Sequence, residues 1–297
     1  MSYLLETLVG GLLAGIMYSM VAIGFVLIYK ASGVFNFAQG AMVLFSALTF
    51  VSLLERNVAF GVALIITAAV MVVVAVLAER LVLRFLVNRP PVTLFMATLG
   101  LSYVLEGTAQ ALWGADVHGL DLGIDDVPVS IVGLRLSRFD LFASATAAVL
   151  VVLLSLFANR TRIGRSLRAV ADDPLAALSL GVRLPKIWRW VWTLAGLVGF
   201  IAGLLWGSRS GVQFSLTLVV LKAMPVLIIG GFDSIEGAIV GGLIVGASEK
   251  LAEVYVGPAI FGAGGGGIEN WFPYFLAVGL LLVRPAGLFG DRAVVRV

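Results

Sequence analysis

Hydrophobic residues run along this chain in blocks of membrane-spanning length, not in the short alternations or narrow stripes of a soluble fold. Stretches free of Asp, Glu, Lys and Arg cover residues 7–29, 31–54, 57–78, 141–159 and 190–208. At about 1.5 Å of helix per residue, each can cross a hydrocarbon core about 30 Å thick. Residues 90–114 form a further candidate interrupted only by Glu106. The last third is less regular: 215–232 contains Lys222 and Pro225, 235–254 is charge-free only over 237–248, and 271–289 carries Arg284. The pattern predicts an all-α, polytopic helical membrane protein, one domain over residues 1–297, with about eight or nine transmembrane helices. The ninth is 215–232, read as a full crossing in preference to a broken or re-entrant segment.

Composition agrees with the bilayer as solvent. The 297 residues are 61% apolar and 12% charged, against about 25% charged in a typical soluble domain. The chain contains no Cys and one His, His118, which excludes disulfides, thiolate metal sites and most imidazole-based metal or acid–base constellations. The net charge of +3 says less than the placement of the charges, and it does not point to nucleic acid. With nine crossings and an external N-terminus, most cations fall on the inner side: Lys30, Arg80, Arg84, Arg89, seven between 160 and 189, and Arg284, Arg292 and Arg296. Asp116, Asp121, Asp125, Asp126 and Asp140 collect outside. Positive charge marks cytoplasmic loops, so the N-terminus is expected outside and the C-terminus in the cytoplasm.

Two loops are large enough to do more than connect, an acidic outer loop at 115–140 and a basic inner loop at 160–189. Within the inner loop, 164–181 reads as helical, with Arg165 and Arg168 on one side and Leu167 and Val170 on another. Asp172, Asp173 and Pro174 then mark a cap and a first helical position, and a second short helix ends at Gly181. Such a pair suits a docking platform for a cytosolic partner; a merely solvated, positive-inside loop is the plainer alternative.

Residues 35–43 and 232–240 share the pattern F-N/D-x-x-Q/E-G-A-M/I-V, an internal repeat of a kind found in transporters. The second copy opens a glycine series in which Gly237–Gly241 and Gly242–Gly246 stand four residues apart, spacing that lets helix backbones approach closely. Gly10, Gly11 and Gly15 in the first helix follow the same logic. No G-x-x-x-x-G-K-S/T phosphate loop occurs, so this chain has no such route to ATP hydrolysis, and no nucleophile elbow or zinc-protease motif points to an enzyme. Charges at membrane depth are expensive and mark candidate sites. Glu106, with Ser102 one helical turn away, and Lys222 are therefore candidates for a substrate path, snorkelling being the alternative for Lys222. Asn36 and Gln39 are placed at the inner mouth, for gating or for capping a helix start.

Several blocks resemble one family. G-L-L-A-G-I-M-Y-S-M-V-A-I-G-F-V-L-I-Y (11–29) followed by G-V-F-N-F-A-Q-G (33–40) closely resembles the start of the permease subunits of branched-chain amino acid ATP-binding-cassette importers, in which N-F-A-H/Q-G recurs. A-T-L-G-L-S-Y-V-L-E-G (97–107), T-R-x-G-R-S-L-R-A-V-A-D-D-P-L-A-A-L-S-L-G-V (161–182) and L-K-A-M-P-V-L-I-I-G-G-F-D-S-I-E-G-A-I-V-G-G (221–242) agree with it. The resemblance implies a multi-pass subunit of the bacterial plasma (inner) membrane that binds no cofactor itself. It implies a homologous second permease or a second copy, an external substrate-binding protein, and cytosolic ATP-binding subunits that use the ATP. The 160–189 loop is then the coupling element, with Arg165, Arg168, Asp172, Asp173, Ala176, Ala177 and Gly181 as its residues. Ala176, Ala177 and Gly181 are similar to the A-A-x-x-x-G core of the importers' cytoplasmic loop motif, although Leu175 stands where that motif has Glu. Urea or short amides are the alternative solutes within the family. An ATP-independent carrier or channel is the alternative class.

Overall fold

The apolar blocks form helices whose ends are set by glycine, proline and charge. A computed structural model describes residues 2–33, 35–86, 89–131, 133–172, 174–262 and 267–290; Asp173, Arg292 and Arg296 lie outside the described residues. The helices are α1 (Ser2–Ser32), α2 (Gln39–Glu55), α3 (Phe60–Leu81), α4 (Pro91–Trp113), α5 (Arg138–Arg160), α6 (Arg162–Asp172), α7 (Pro174–Ser179), α8 (Leu184–Ser210), α9 (Val219–Gly230), α10 (Ile235–Leu251), α11 (Gly257–Phe261) and α12 (Ile268–Val283). Among the described residues, five helical segments are long and apolar enough to cross a membrane: Tyr3–Ser32, Phe60–Leu86, Val92–Trp113, Arg138–Arg160 and Leu184–Ser210. Phe214–Gly230 and Ile235–Phe261, bent by 115° at their break, add a sixth if counted as one span. The chain is thus an all-α polytopic membrane protein.

That bend differs from the reading of 215–232 as a crossing of its own, and two further features differ from the sequence pattern. The charge-free run at 31–54 is not one helix: α1 continues through Ser32, Gly33 turns at a φ of +68°, and α2 starts only at Gln39. The left-handed conformation at Gly33 is open to glycine without a Cβ penalty. The outer loop also carries a small hairpin, β1 (Pro128–Ile131) and β2 (Leu134–Ser137), pairing Val129 with Leu136 and Ser130 with Arg135. Gly133, at a φ of +80°, serves its tight connection.

The chain divides into two units. One comprises residues 27–122 and 153–220. Its centre is α2, buried from Gln39 to Val51, packed on α3, α4 and α8. Gly196, Gly199 and Gly203 put a bare backbone on the α8 side facing α2; a Cβ at Gly203 would lie 2.6 Å from the Val43 carbonyl oxygen. The Ser46 hydroxyl donates across this approach to the Gly199 carbonyl at 3.3 Å, and Phe50 packs against Phe60 and Phe200. The single histidine tethers the outer loop: its backbone pairs with Val212, and Nδ1 lies 2.8 Å from Glu55 Oε1.

The other unit comprises residues 1–26, 123–152 and 221–297. Here α1 and α10 meet glycine to glycine. A Cβ at Gly15 would lie 2.4 Å from the Gly242 carbonyl oxygen, and one at Gly246 2.3 Å from that of Gly11. The Ser19 hydroxyl donates to the Gly15 and Ile239 carbonyls at 2.9 and 3.2 Å. Gly230 and Gly237 bring the end of α9 equally close to the start of α10, whose first turn is capped by Ser234 Oγ accepting from the Gly237 amide at 2.9 Å. The chain after α12 is held by backbone bonds from Leu288 to Ile229 and from Phe289 to Gly230.

Candidate functional site

The inner loop folds as α6 and α7, and each of its conspicuous residues has a definable place. Along α6, Gly164, Leu167 and Val170 face inward while Arg162, Arg165 and Asp172 are exposed. Val170, Ala177 and Leu184 form a small core with Ala169 and Val182, which joins α6, α7 and the start of α8. Gly181, at a φ of +83°, ends α7: its amide donates to the Leu178 carbonyl at 3.0 Å and that of Val182 to the Ala177 carbonyl at 3.0 Å. This is the Schellman arrangement, and the Ala177–Val182 contact supplies its customary hydrophobic partner. The A-A-x-x-x-G string therefore has a local physical meaning, Ala177 in the core and Gly181 in the turn.

Arg168 points back toward the membrane helices. Its guanidinium donates to the Ala158 carbonyl at 3.1 Å and to Asn159 Oδ1 at 2.8 Å, closing the end of α5, where carbonyls lack helical partners. Gly164 lies against the same turn, where a Cβ would be 2.2 Å from the Ala158 oxygen. Arg168, Gly164, Ala177 and Gly181 thus seat the element. Arg165, Asp172 and Ala176 are exposed, together with Leu178 and Leu180, the latter 82% exposed.

The polar candidates within the helices belong to distinct hydrogen-bond groups. Asn36 and Gln39 are fully buried: Asn36 Oδ1 accepts from the Ala38 amide, its Nδ2 donates to Gln39 Oε1 at 3.2 Å, and Gln39 Nε2 donates to the Ala195 carbonyl at 3.0 Å. They stitch the start of α2 to α8. Ser102 donates to Glu106 Oε1 at 3.1 Å on a half-buried side of α4. Beside them Tyr103, Gly107 and Gln110 are exposed, and a Cβ on Gly100 or Gly107 would meet nothing within 4 Å.

Lys222 is paired. Its Nζ lies 2.7 Å from Glu249 Oε1, which also accepts from the Tyr18 hydroxyl at 3.1 Å, and the ammonium sits 6.0 Å from the Tyr18 ring centroid. A second buried carboxylate, Glu79 at the end of α3, takes Nε of Arg189 at 3.1 Å. Each pair leaves one carboxylate oxygen, Glu249 Oε2 and Glu79 Oε1, buried without a partner among the described residues. A buried carboxylate is costly without a cation beside it, so each pair ties together the two helices that carry it.

Comparison with known proteins decides the class. Residues 7–284 match the family described as branched-chain amino acid transport system / permease component. The chain belongs to that family. Among similar proteins, "Probable branched-chain amino acid transport permease protein LivH" of Methanocaldococcus jannaschii is 29% identical over 91% of this chain and 88% of its own length. "High-affinity branched-chain amino acid transport system permease protein BraD" of Pseudomonas aeruginosa is 26% identical over 99% and 98%. "Fructose import permease protein FrcC" of Rhizobium meliloti is 39% identical over a shorter stretch, 33% of this chain and 29% of its own length.

In this permease, Glu249, Tyr18, Glu79 and Arg189 are the residues that sequence reasoning does not single out. Glu249 and Glu79 sit next to Lys250 and Arg80 at the ends of charge-free runs and read as flanks. The available signal is that each acid lies within the last turns of a span, on the helix face that carries its small residues.

Proposed function

We propose that this permease is a membrane-spanning subunit of an ATP-driven importer of branched-chain amino acids, in a bacterial-type plasma membrane, with its N-terminus outside and its C-terminus in the cytoplasm. An external binding protein delivers the solute, a homologous permease or a second copy completes the pore, and cytosolic ATP-binding subunits dock on α6 and α7. The observation that carries the reading is the α6–α7 element itself. It is seated on α5 through Gly164 and Arg168 and on α8 through Leu184, and it presents Arg165, Asp172, Ala176, Leu178 and Leu180 outward. A docking face accounts for Leu178 and Leu180 being exposed together, whereas a solvated connector requires neither to be apolar.

Closure of the ATP-binding subunits moves this lever, and α5 and α8 follow because the joints are backbone contacts and charged hydrogen bonds. The cycle is a population shift between two packings, and no bond is made or broken in the permease. The exposed stripe of Gly100, Tyr103, Gly107 and Gln110 on α4 suits a second permease, and Ser102 and Glu106 beside it border the path. Asn36 and Gln39 hold α2 against α8, and Lys222 holds α9 against α10.

Proteoliposomes containing the permease pair and the ATP-binding subunits, supplied with binding protein and ATP, should accumulate radiolabelled leucine, isoleucine or valine. Leu180→Asp should lower that uptake roughly tenfold, about 1.4 kcal/mol of docking energy, with membrane insertion unchanged. Unchanged uptake overturns the docking role. Uptake by the permease alone on an ion gradient would establish a carrier. Urea, short amides and fructose are the competing solutes in the same assay, fructose because of the partial likeness to a fructose permease.

A further inference from the structure

An open groove of about 1150 Å³ lies between α3, the α7–α8 connection and the first half of α8. Its lining changes character along α8. Arg183, Lys186 and Arg189 stand at one end, Trp190 follows, and Leu197 continues toward the helix middle, opposite Val72 and Val76 of α3. Positions 186, 189, 190, 193 and 197 recur at three- and four-residue intervals, so they form one stripe of α8. The Glu79–Arg189 pair joins the end of α3 to the start of α8, so the charged ends of both helices coincide.

Glu79 engages only one of the three cations. Arg183 and Lys186 are exposed and form no side-chain hydrogen bond or ion pair among the described residues. The groove is therefore cationic at one end, aromatic at the next level and aliphatic beyond. From Lys186 to Leu197 the stripe runs about 16 Å, close to the ~15 Å of hydrocarbon in one leaflet. Cations at headgroup level with Trp just beneath them are the side chains that membrane interfaces favour.

We propose that this groove is a binding site for an anionic phospholipid. The phosphate sits on Arg183 and Lys186, and an acyl chain lies along Trp190, Leu197, Val72 and Val76. A zwitterionic lipid carries a phosphate too but sets its own ammonium beside it, which opposes Arg183 and Lys186, and a protein helix would have to bring an acidic end and an apolar flank in the same register. Basic pockets between membrane helices recognise anionic headgroups in this way, each cation contributing about fivefold in affinity. The site goes beyond the transport reading and requires only that α3 and α8 cross a membrane.

The test is native mass spectrometry of the assembled transporter, titrated with phosphatidylglycerol or phosphatidylcholine. Phosphatidylglycerol should be retained in preference, and Arg183→Gln combined with Lys186→Gln should lower its retention about 25-fold, with a much smaller effect on phosphatidylcholine, so that the preference is lost. Arg56→Gln combined with Arg135→Gln, an equal charge loss elsewhere, should leave retention intact. A photoreactive residue in place of Val76, in intact membranes, should capture phospholipid. Equal retention of the two lipids, an equal loss in the control variant, or capture of a protein chain at position 76 overturns the proposal. None of these readouts depends on the solute or on ATP-driven uptake.

Discussion

Replacing Gly246 by Ala tests the α1–α10 contact most directly. The added Cβ would stand 2.3 Å from the Gly11 carbonyl oxygen, 2.4 Å from the Gly15 nitrogen and 2.5 Å from the Gly15 Cα. All three are backbone atoms, so no side chain can swing away. The helices must part by roughly 0.7 Å or more even to reach 3.0 Å, and overpacking of this kind costs about 1–3 kcal/mol. The same movement stretches the Ser19–Ile239 hydrogen bond, already 3.2 Å long, out of range, a further loss of about 0.6 kcal/mol in a membrane interior. Lipid offers no hydrophobic force to press the helices back together, so the total is about 2–4 kcal/mol. Unfolding in mixed micelles by added dodecyl sulfate, followed by circular dichroism, should show the loss as a lower midpoint. Gly279→Ala in α12 is the control, since its Cβ would meet nothing within 4 Å. Equal stability of Gly246→Ala and the parent, or an equal fall in Gly279→Ala, would refute the reasoning.

Lys222→Met should destabilise by about 3 kcal/mol in the same titration, the low end for a broken buried pair because Lys222 is 30% exposed; Lys222→Met with Glu249→Gln should regain most of that, and full stability of the single variant would show that the pair carries no weight. Arg168→Ala should release α6 from α5 at a cost of about 1.5–3 kcal/mol, seen as faster amide exchange over residues 162–183 with the rest of α5 unchanged; protection equal to the parent would mean that the guanidinium clamps nothing. Gly164→Ala, whose Cβ would meet the Ala158 carbonyl at 2.2 Å, should unseat the same element and lower ATP-driven uptake as Leu180→Asp does, and normal uptake would exclude a rigid lever.

Legibility in the sequence follows the range of the interactions. The ends of the α6–α7 pair can be read, because Pro174 at a helix start and Gly181 in a left-handed turn act over a few positions, whereas the turning of Arg168 back onto α5, away from Arg165, cannot. The family likeness is legible for a similar reason, since it resides in contiguous strings. The partner of Lys222 is not legible: Glu249 becomes the accepting carboxylate through Tyr18, 231 positions away, and through a helix meeting that no local rule specifies. Glu79 and Arg189, 110 positions apart, repeat the lesson. The stripe of Gly196, Gly199 and Gly203 carries the same small-residue spacing as Gly242 and Gly246, but only the seat of α2 against it distinguishes packing from chance. Hydropathy locates spans and says little about breaks within them, so Gly33 interrupts an uncharged run that reads as continuous.

The lateness of α10 also sets an order of assembly. α1 is synthesised before α10, yet its apolar window is 78% buried in the finished protein, and Tyr18 waits for a partner 231 positions downstream. At about 5–20 residues per second, some 10–50 s of translation separate the two. Throughout that interval the Gly11–Gly15 face meets lipid, presenting bare backbone and almost no side chain to a wrong neighbour. A chain stopped before α10 keeps that face open and leaves the Tyr18 hydroxyl without its carboxylate, so it lacks the contact that joins its first helix to its last third.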